Sequence, residues 1–189
     1  MYIFSMKNIQ RDPFKDRISW DIRNDLSASL TQAMKEKDIA PALSVAERYL
    51  KQGLASCYTD YIQDRLSGYR TFLDCIRQGP NDIFWQALVL WDQKLFFEVH
   101  EVLEHAWLKS GGAEKLVLQA MIRAAGVYIK LEYGYRESAR KIANRALPIL
   151  EKHKEFLAAY FEPEKLLRCL KDFNLPPPDL LDSLQQYVR

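Results

Sequence analysis

Residues 116–134, LVLQAMIRAAGVYIKLEYG, decide the fold. Wound as a helix, they place Leu116, Leu118, Met121, Ile122, Val127, Tyr128, Ile129 and Leu131 on nearly every side. A helix that is apolar almost all round belongs in the middle of a bundle. One polar stripe interrupts it. Gln119, Arg123, Gly126 and Lys130 fall within about 60° of one another on ideal geometry. A polar stripe on a central helix must itself face something polar, because a buried polar group without a partner is costly. Gly126 within the stripe reads as a place where a neighbour approaches closely.

Outward from this helix the periodicity stays helical nearly everywhere, and no convincing alternating strand occurs. "SGGAEK", residues 110–115, ends one helix and starts the central one, and Gly134 closes it. Upstream, "GPND" at 79–82 stops a long amphipathic helix over 54–78 and supplies Asn81 or Asp82 as the next N-cap. A short helix over 83–93 and a tight turn near Gln93 to Leu95 follow. "PALSVAERYLKQG", 41–53, carries Pro41 at a first helical position and ends at Gly53. Downstream, residues 136–161 form a further helix, kinked or restarted at Pro148, and "LPPPD" precedes a short terminal helix. The expected class is all-α: an antiparallel helical bundle over 80–189 with an N-terminal helical extension over 1–79. The extension has an apolar stripe through Tyr58, Tyr61, Ile62, Leu66, Tyr69, Phe72, Leu73 and Ile76, which must be covered. It is expected to pack on the bundle.

The chain has 189 residues, 48% of them hydrophobic and 28% charged, which is ordinary for a globular domain of this size. A net charge of +2 makes no electrostatic case for nucleic acid. No apolar run approaches the ~18 residues of a membrane helix. At the N-terminus the charges follow the short apolar start, the wrong order for a secretory signal. Cys57, Cys75 and Cys169 are scattered and odd in number, which argues against a disulfide framework. A reduced, cytoplasmic protein is expected.

The chemistry concentrates in "FFEVHEVLEHAW", residues 96–107. With His100 at zero on the helical wheel, Glu104 lies near +40° and Trp107 near −20° (approximate, ideal geometry). Apolar residues flank them on both sides. Glu98, Glu101 and His105 point elsewhere, toward solvent. The simplest pairing sets the stripe of the central helix against this one, with Arg123 and Gln119 facing Glu104 and His100, and Lys130 near one end. Three uses of that pairing stay open. His and Glu at i and i+4 can share a metal ion, but Glu104 stands where the second histidine of an HExxH zinc motif would be, His105 comes one residue too late, and Arg123 and Lys130 would repel a cation, so no metal is favoured. If one binds, His100 and Glu104 hold it. Glu104 can instead orient His100 as a general base while Arg123 stabilises an anion. Glu101, Trp107, Gln119 and Lys130 would then contact the ligand. Finally, the pair can be structural, fixing helix register. If Glu104 and Arg123 form a buried pair, Glu104→Ala should cost about 3–5 kcal/mol.

"HEVLEHAW" fits HxxxExxW through His100, Glu104 and Trp107, and resembles the bacterial and archaeal family known as domain of unknown function 309. A second stretch, "LQAMIRAAGVYIKLEYGYRESA", is similar to a helix pair of that family through Leu118, Gln119, Ile122, Ala125, Gly134 and Ala139. The resemblance covers about residues 82–150 and implies an antiparallel helical bundle. It implies no established activity. The family's metal-dependent hydrolase role is a guess from the His/Glu motif. This chain departs from it, with Lys130 where a histidine is usual and Arg123 where glutamine or lysine is usual. Two function classes follow. The first is a structural or interaction module, with an unidentified protein partner. The second is a small-molecule hydrolase using His100 and Glu104. No cofactor is implied.

Overall fold

The computed structural model describes residues 11–181. Among them are nine helices: α1 (Arg17–Glu36), α2 (Ala40–Leu50), α3 (Ser56–Gln78), α4 (Ile83–Asp92), α5 (Phe96–Lys109), α6 (Gly112–Glu132), α7 (Arg136–Lys152), α8 (Lys154–Ala158) and α9 (Pro163–Lys171). The all-α class is the observed one. The terminal helix expected after "LPPPD" lies outside the described residues. By its contacts the chain divides into two compact units, with residues 11–79 in one and 80–181 in the other.

In the first unit Asp16 starts α1. Its carboxylate accepts the N–H of Ile18 and Ser19 and the hydroxyls of Ser19 and Tyr58, satisfying N–H groups that a helix start leaves without partners. Ile22, Leu26, Leu30 and Ala33 recur on one face of α1 and are buried. α1 packs against both α2 and α3. In the stripe of α3, Tyr61, Ile62, Leu66, Tyr69, Phe72, Leu73 and Ile76 are buried, and Tyr58 is half-buried.

In the second unit Asp82 is the N-cap of α4, accepting from Phe84 N at 2.8 Å and Trp85 N at 3.1 Å. Helices α4, α5, α6 and α7 pack in chain order, each against the next. The short turns between packed neighbours make them antiparallel. At the α4–α5 corner Leu95 N bonds Leu90 O, and Lys94 takes the left-handed conformation at φ 59°. Gly134 does the same after α6 at φ 78°, where Tyr135 N bonds Lys130 O. Both are helix stops in which a left-handed residue lets the chain bond back to the last turn. α7 runs unbroken through Pro148, and the break falls later, at His153. Of the expected kink or restart at Pro148, the restart is therefore corrected. A proline forfeits one hydrogen bond of the ladder, and the packed face of α7 (Ala139, Ala143, Ala146, Leu150) continues past it. Arg140 fixes the end of α9 by donating to Leu170 O at 3.2 Å and Lys171 O at 3.0 Å, with its guanidinium 3.8 Å from the Phe173 ring centroid.

Gly126 does not mark a close approach. A Cβ placed there would find Ile142 Cγ2 on α7 at 3.9 Å, an ordinary contact. Gly126→Ala should therefore stabilise the protein, by roughly 0.5–1 kcal/mol, because alanine restricts the unfolded chain and favours the helix. Thermal or urea unfolding measures it. A loss would mean that the α6–α7 contact is tighter than 3.9 Å implies.

Candidate functional site

The apolar side of α5 carries Phe96, Val99, Val102 and Leu103, all buried. His100 lies at the margin of that side and is half-buried, and Glu104 lies beyond the margin and is exposed. Leu108, one turn beyond Glu104, is 66% exposed. The pair therefore sits on an open flank of α5 and not in a buried seam. His105 is exposed, as expected, with Nδ1 2.8 Å from Glu101 O. Glu98 is the opposite case. Expected in solvent, it is fully buried. It occupies the first turn of α5, where the free N–H groups of a helix start favour a carboxylate.

Part of the stripe on α6 meets α7 rather than α5. Gln119, Arg123, Gly126 and Lys130 are all half-buried. Arg123 Nη1 donates to Arg145 O on α7 at 3.4 Å, and the nearest neighbour of Gly126 is also on α7. Lys130 Nζ lies 5.3 Å from the ring centroid of Tyr135. Arg123 and Gly126 thus meet α7, and among the described residues no ion pair joins Arg123 to Glu104. The expected Glu104–Arg123 pairing is corrected. α6 is flanked by both α5 and α7, so a polar stripe has two neighbours to choose from, and the helical wheel does not choose between them.

The energetic expectation changes with the geometry. Glu104→Ala should cost less than about 1 kcal/mol, as for an exposed charge. The losses of Glu104→Ala and Arg123→Ala should add to within roughly 0.5 kcal/mol, as for residues that do not touch. A double-mutant cycle by urea unfolding checks this. A coupling above about 1 kcal/mol would restore the pairing read from the sequence.

What the fold does bring together is His100, Glu101 and Glu104. One ligand atom from each lies within 4.8 Å of the other two. His100 Nδ1 and Glu101 Oε1 are 3.2 Å apart. Glu101 was placed with the outward residues, yet its carboxylate swings alongside the neighbouring imidazole. Trp107, one turn further on, is half-buried. Its Nε1 is buried without a hydrogen-bond partner, and Lys115 Nζ stands 4.5 Å from its ring centroid. Gln119 contributes no described contact to the three.

One group missed by the sequence reading is Asp92. It occupies the last turn of α4, where the helix dipole disfavours an acid. That misplacement is a sequence signal for an external partner. Burial pushes its carboxyl up to about 6, against the downward pull of the Leu180 and Leu181 N–H groups and Lys94.

Two helices bearing His100, Glu104 and Trp107 on one and Leu118, Gln119 and Ile122 on the next, joined by a short turn, can be compared with known families. Residues 84–142 match the family described as domain of unknown function (DUF309). The DUF309 segment spans α4 almost entirely, α5, α6 and the first part of α7. Both stretches that carry the resemblance lie in it. Neither the curated proteins nor the solved structures hold a match to this chain. Among the described residues no helix is long and apolar enough to cross a membrane.

Proposed function

We propose that the open flank of α5 in the DUF309 segment binds a divalent cation through His100, Glu101 and Glu104. The observation that carries this reading is the convergence of one imidazole and two carboxylates within 4.8 Å. An N/O donor set of this kind suits zinc or manganese. The sequence argument against a metal rested on the missing second histidine and on Arg123 and Lys130 facing the pair; Glu101 supplies a third donor in place of that histidine. Arg123 instead donates to a carbonyl on α7, and Lys130 lies by Tyr135. With His100 and Glu101 half-buried and Glu104 exposed, a three-ligand set would leave coordination positions for water and substrate on the Glu104 side, the arrangement that a metal-dependent hydrolase requires.

Titration calorimetry of the full chain with zinc and manganese chlorides tests it. Saturable binding of one ion per chain is expected, weakened at least tenfold in His100→Ala and in Glu104→Gln. No binding up to millimolar metal, or binding unchanged in both variants, overturns the reading.

A second reading, the interaction module, is favoured by a different observation. Leu108 and Leu116 close α5 and open α6 with 66% and 43% of their surfaces exposed. Large apolar side chains at one corner of a bundle are a common mark of a partner surface. Leu108→Ser would weaken capture of such a partner without adding a carboxylate beside Glu104.

A further inference from the structure

The tail after α9 runs across the C-terminal end of α4, where a short row of groups meets it residue by residue. Trp91 Nε1 donates to the carbonyl of Pro178 at 2.9 Å. Lys94 Nζ meets the carboxylate of Asp179 at 2.6 Å. Asp92 accepts the backbone N–H of Leu180 at 2.7 Å and of Leu181 at 2.9 Å, one on each oxygen. Four consecutive tail residues are thus matched by three side chains from the last turn of α4 and the turn that follows it.

The tail itself is suited to being held in this way. Pro176, Pro177 and Pro178 have no N–H to give a helix or a sheet, and they keep the segment extended. Residues 176–180 lie in no helix. Among residues 176–181 only Leu180 is buried, and the Asp179 side chain is 75% exposed. A segment held by one buried leucine and a few polar contacts belongs to the part of a fold that opens first. An indole N–H donating to a proline carbonyl is also a way that extended proline-rich ligands are held by aromatic grooves. Asp92, disfavoured by its own helix, is explained by the two tail amides that it accepts.

We propose that the C-terminal end of α4 is a docking site for an extended Pro-Asp-Leu-Leu peptide, filled in this chain by residues 178–181 as a displaceable internal ligand. The partner it fits offers a proline carbonyl, then an acidic side chain, then two free amides on apolar residues. Its binding displaces the tail and uncovers Trp91, which is otherwise fully buried.

Two measurements on the full chain test this. In the wild type, the Leu180 and Leu181 amides should exchange with deuterium at least 100-fold faster than the Met121 and Ala124 amides in the core of α6. Equal rates would mean that the tail leaves only when the whole unit unfolds, and the proposal fails. Asp179→Lys, at an exposed position, sets two cations against each other and weakens the internal ligand. A fluorescein-labelled peptide of residues 174–184 should then bind the variant at least tenfold more tightly than the wild type. Adding Trp91→Phe should remove most of that gain. Equal affinity for both chains, or no binding to the Asp179→Lys chain, overturns the proposal.

Discussion

Replacing Trp91 by alanine should cost about 3–5 kcal/mol, the usual range for deleting a large aromatic side chain from a packed interior. Trp91 is fully buried. Its ring stands edge-on to Phe96, with centroids 5.1 Å apart, and to Tyr128 at 5.3 Å. Phe96 and Tyr128 are stacked on each other at 5.0 Å. The three rings join α4, α5 and α6, so the hole left by alanine cannot be filled by moving one helix alone. The change also strips the Pro178 carbonyl of its donor. Trp91→Phe loses the N–H and part of the indole but keeps one aromatic ring in the cluster, so it retains much of the packing without the donor. It should cost less than half as much as alanine. Urea unfolding followed by circular dichroism measures both. A loss below about 2 kcal/mol for alanine would mean that the aromatic cluster collapses readily around the gap.

The Asp92 carboxyl should make stability depend on pH in the direction opposite to that of an ordinary paired carboxylate. Burial raises it from 3.8 to about 6. Between those values the folded chain holds a proton that the unfolded chain has released. The favourable contribution of Asp92 is therefore fully present below about pH 4 and is lost as pH rises through about 6. Asp92→Asn does not titrate, so the difference in unfolding free energy between wild type and variant isolates this group. Relative to the variant, the wild type should lose roughly 1–2 kcal/mol between pH 4 and pH 7, a figure reduced for the partial exposure of the carboxyl. Part of the fixed offset between the two proteins comes from the amides, because an asparagine can accept on only one of its two terminal atoms. Urea titrations at both pH values and constant ionic strength supply the test. A difference that stays flat or grows with pH would mean that the Leu180 and Leu181 amides hold the carboxylate charged.

Much of the architecture was legible in local chemistry. The apolar wrap of residues 116–134 required a central helix, and α6 has neighbours on two sides. Asp82 is a cap because aspartate accepts the N–H groups that a helix start leaves open, a property of the dipeptide region and not of the fold. Gly134 stops α6 because glycine enters the left-handed region at little cost. These signals act within a few residues, where sequence distance and spatial distance are nearly the same.

The pairing of faces is where the sequence stopped. A helical wheel gives the angle between Arg123 and Lys130, but not which neighbour that angle meets. Packing turned Arg123 to α7, left Glu104 in solvent, and buried Glu98. It also laid the tail of a proline-rich segment on Trp91 and Asp92, residues that stand 87 and 88 positions away in hydrogen bonds at Pro178 and Leu180. By itself the sequence determined the all-α class and several helix ends, those at Asp82 and Gly134 among them, because hydrogen bonding and side-chain preference along one chain segment settle them. Only the tertiary structure decided which side chains share a site, because that depends on the rotation of each helix against its neighbours, set by the summed fit of many apolar contacts.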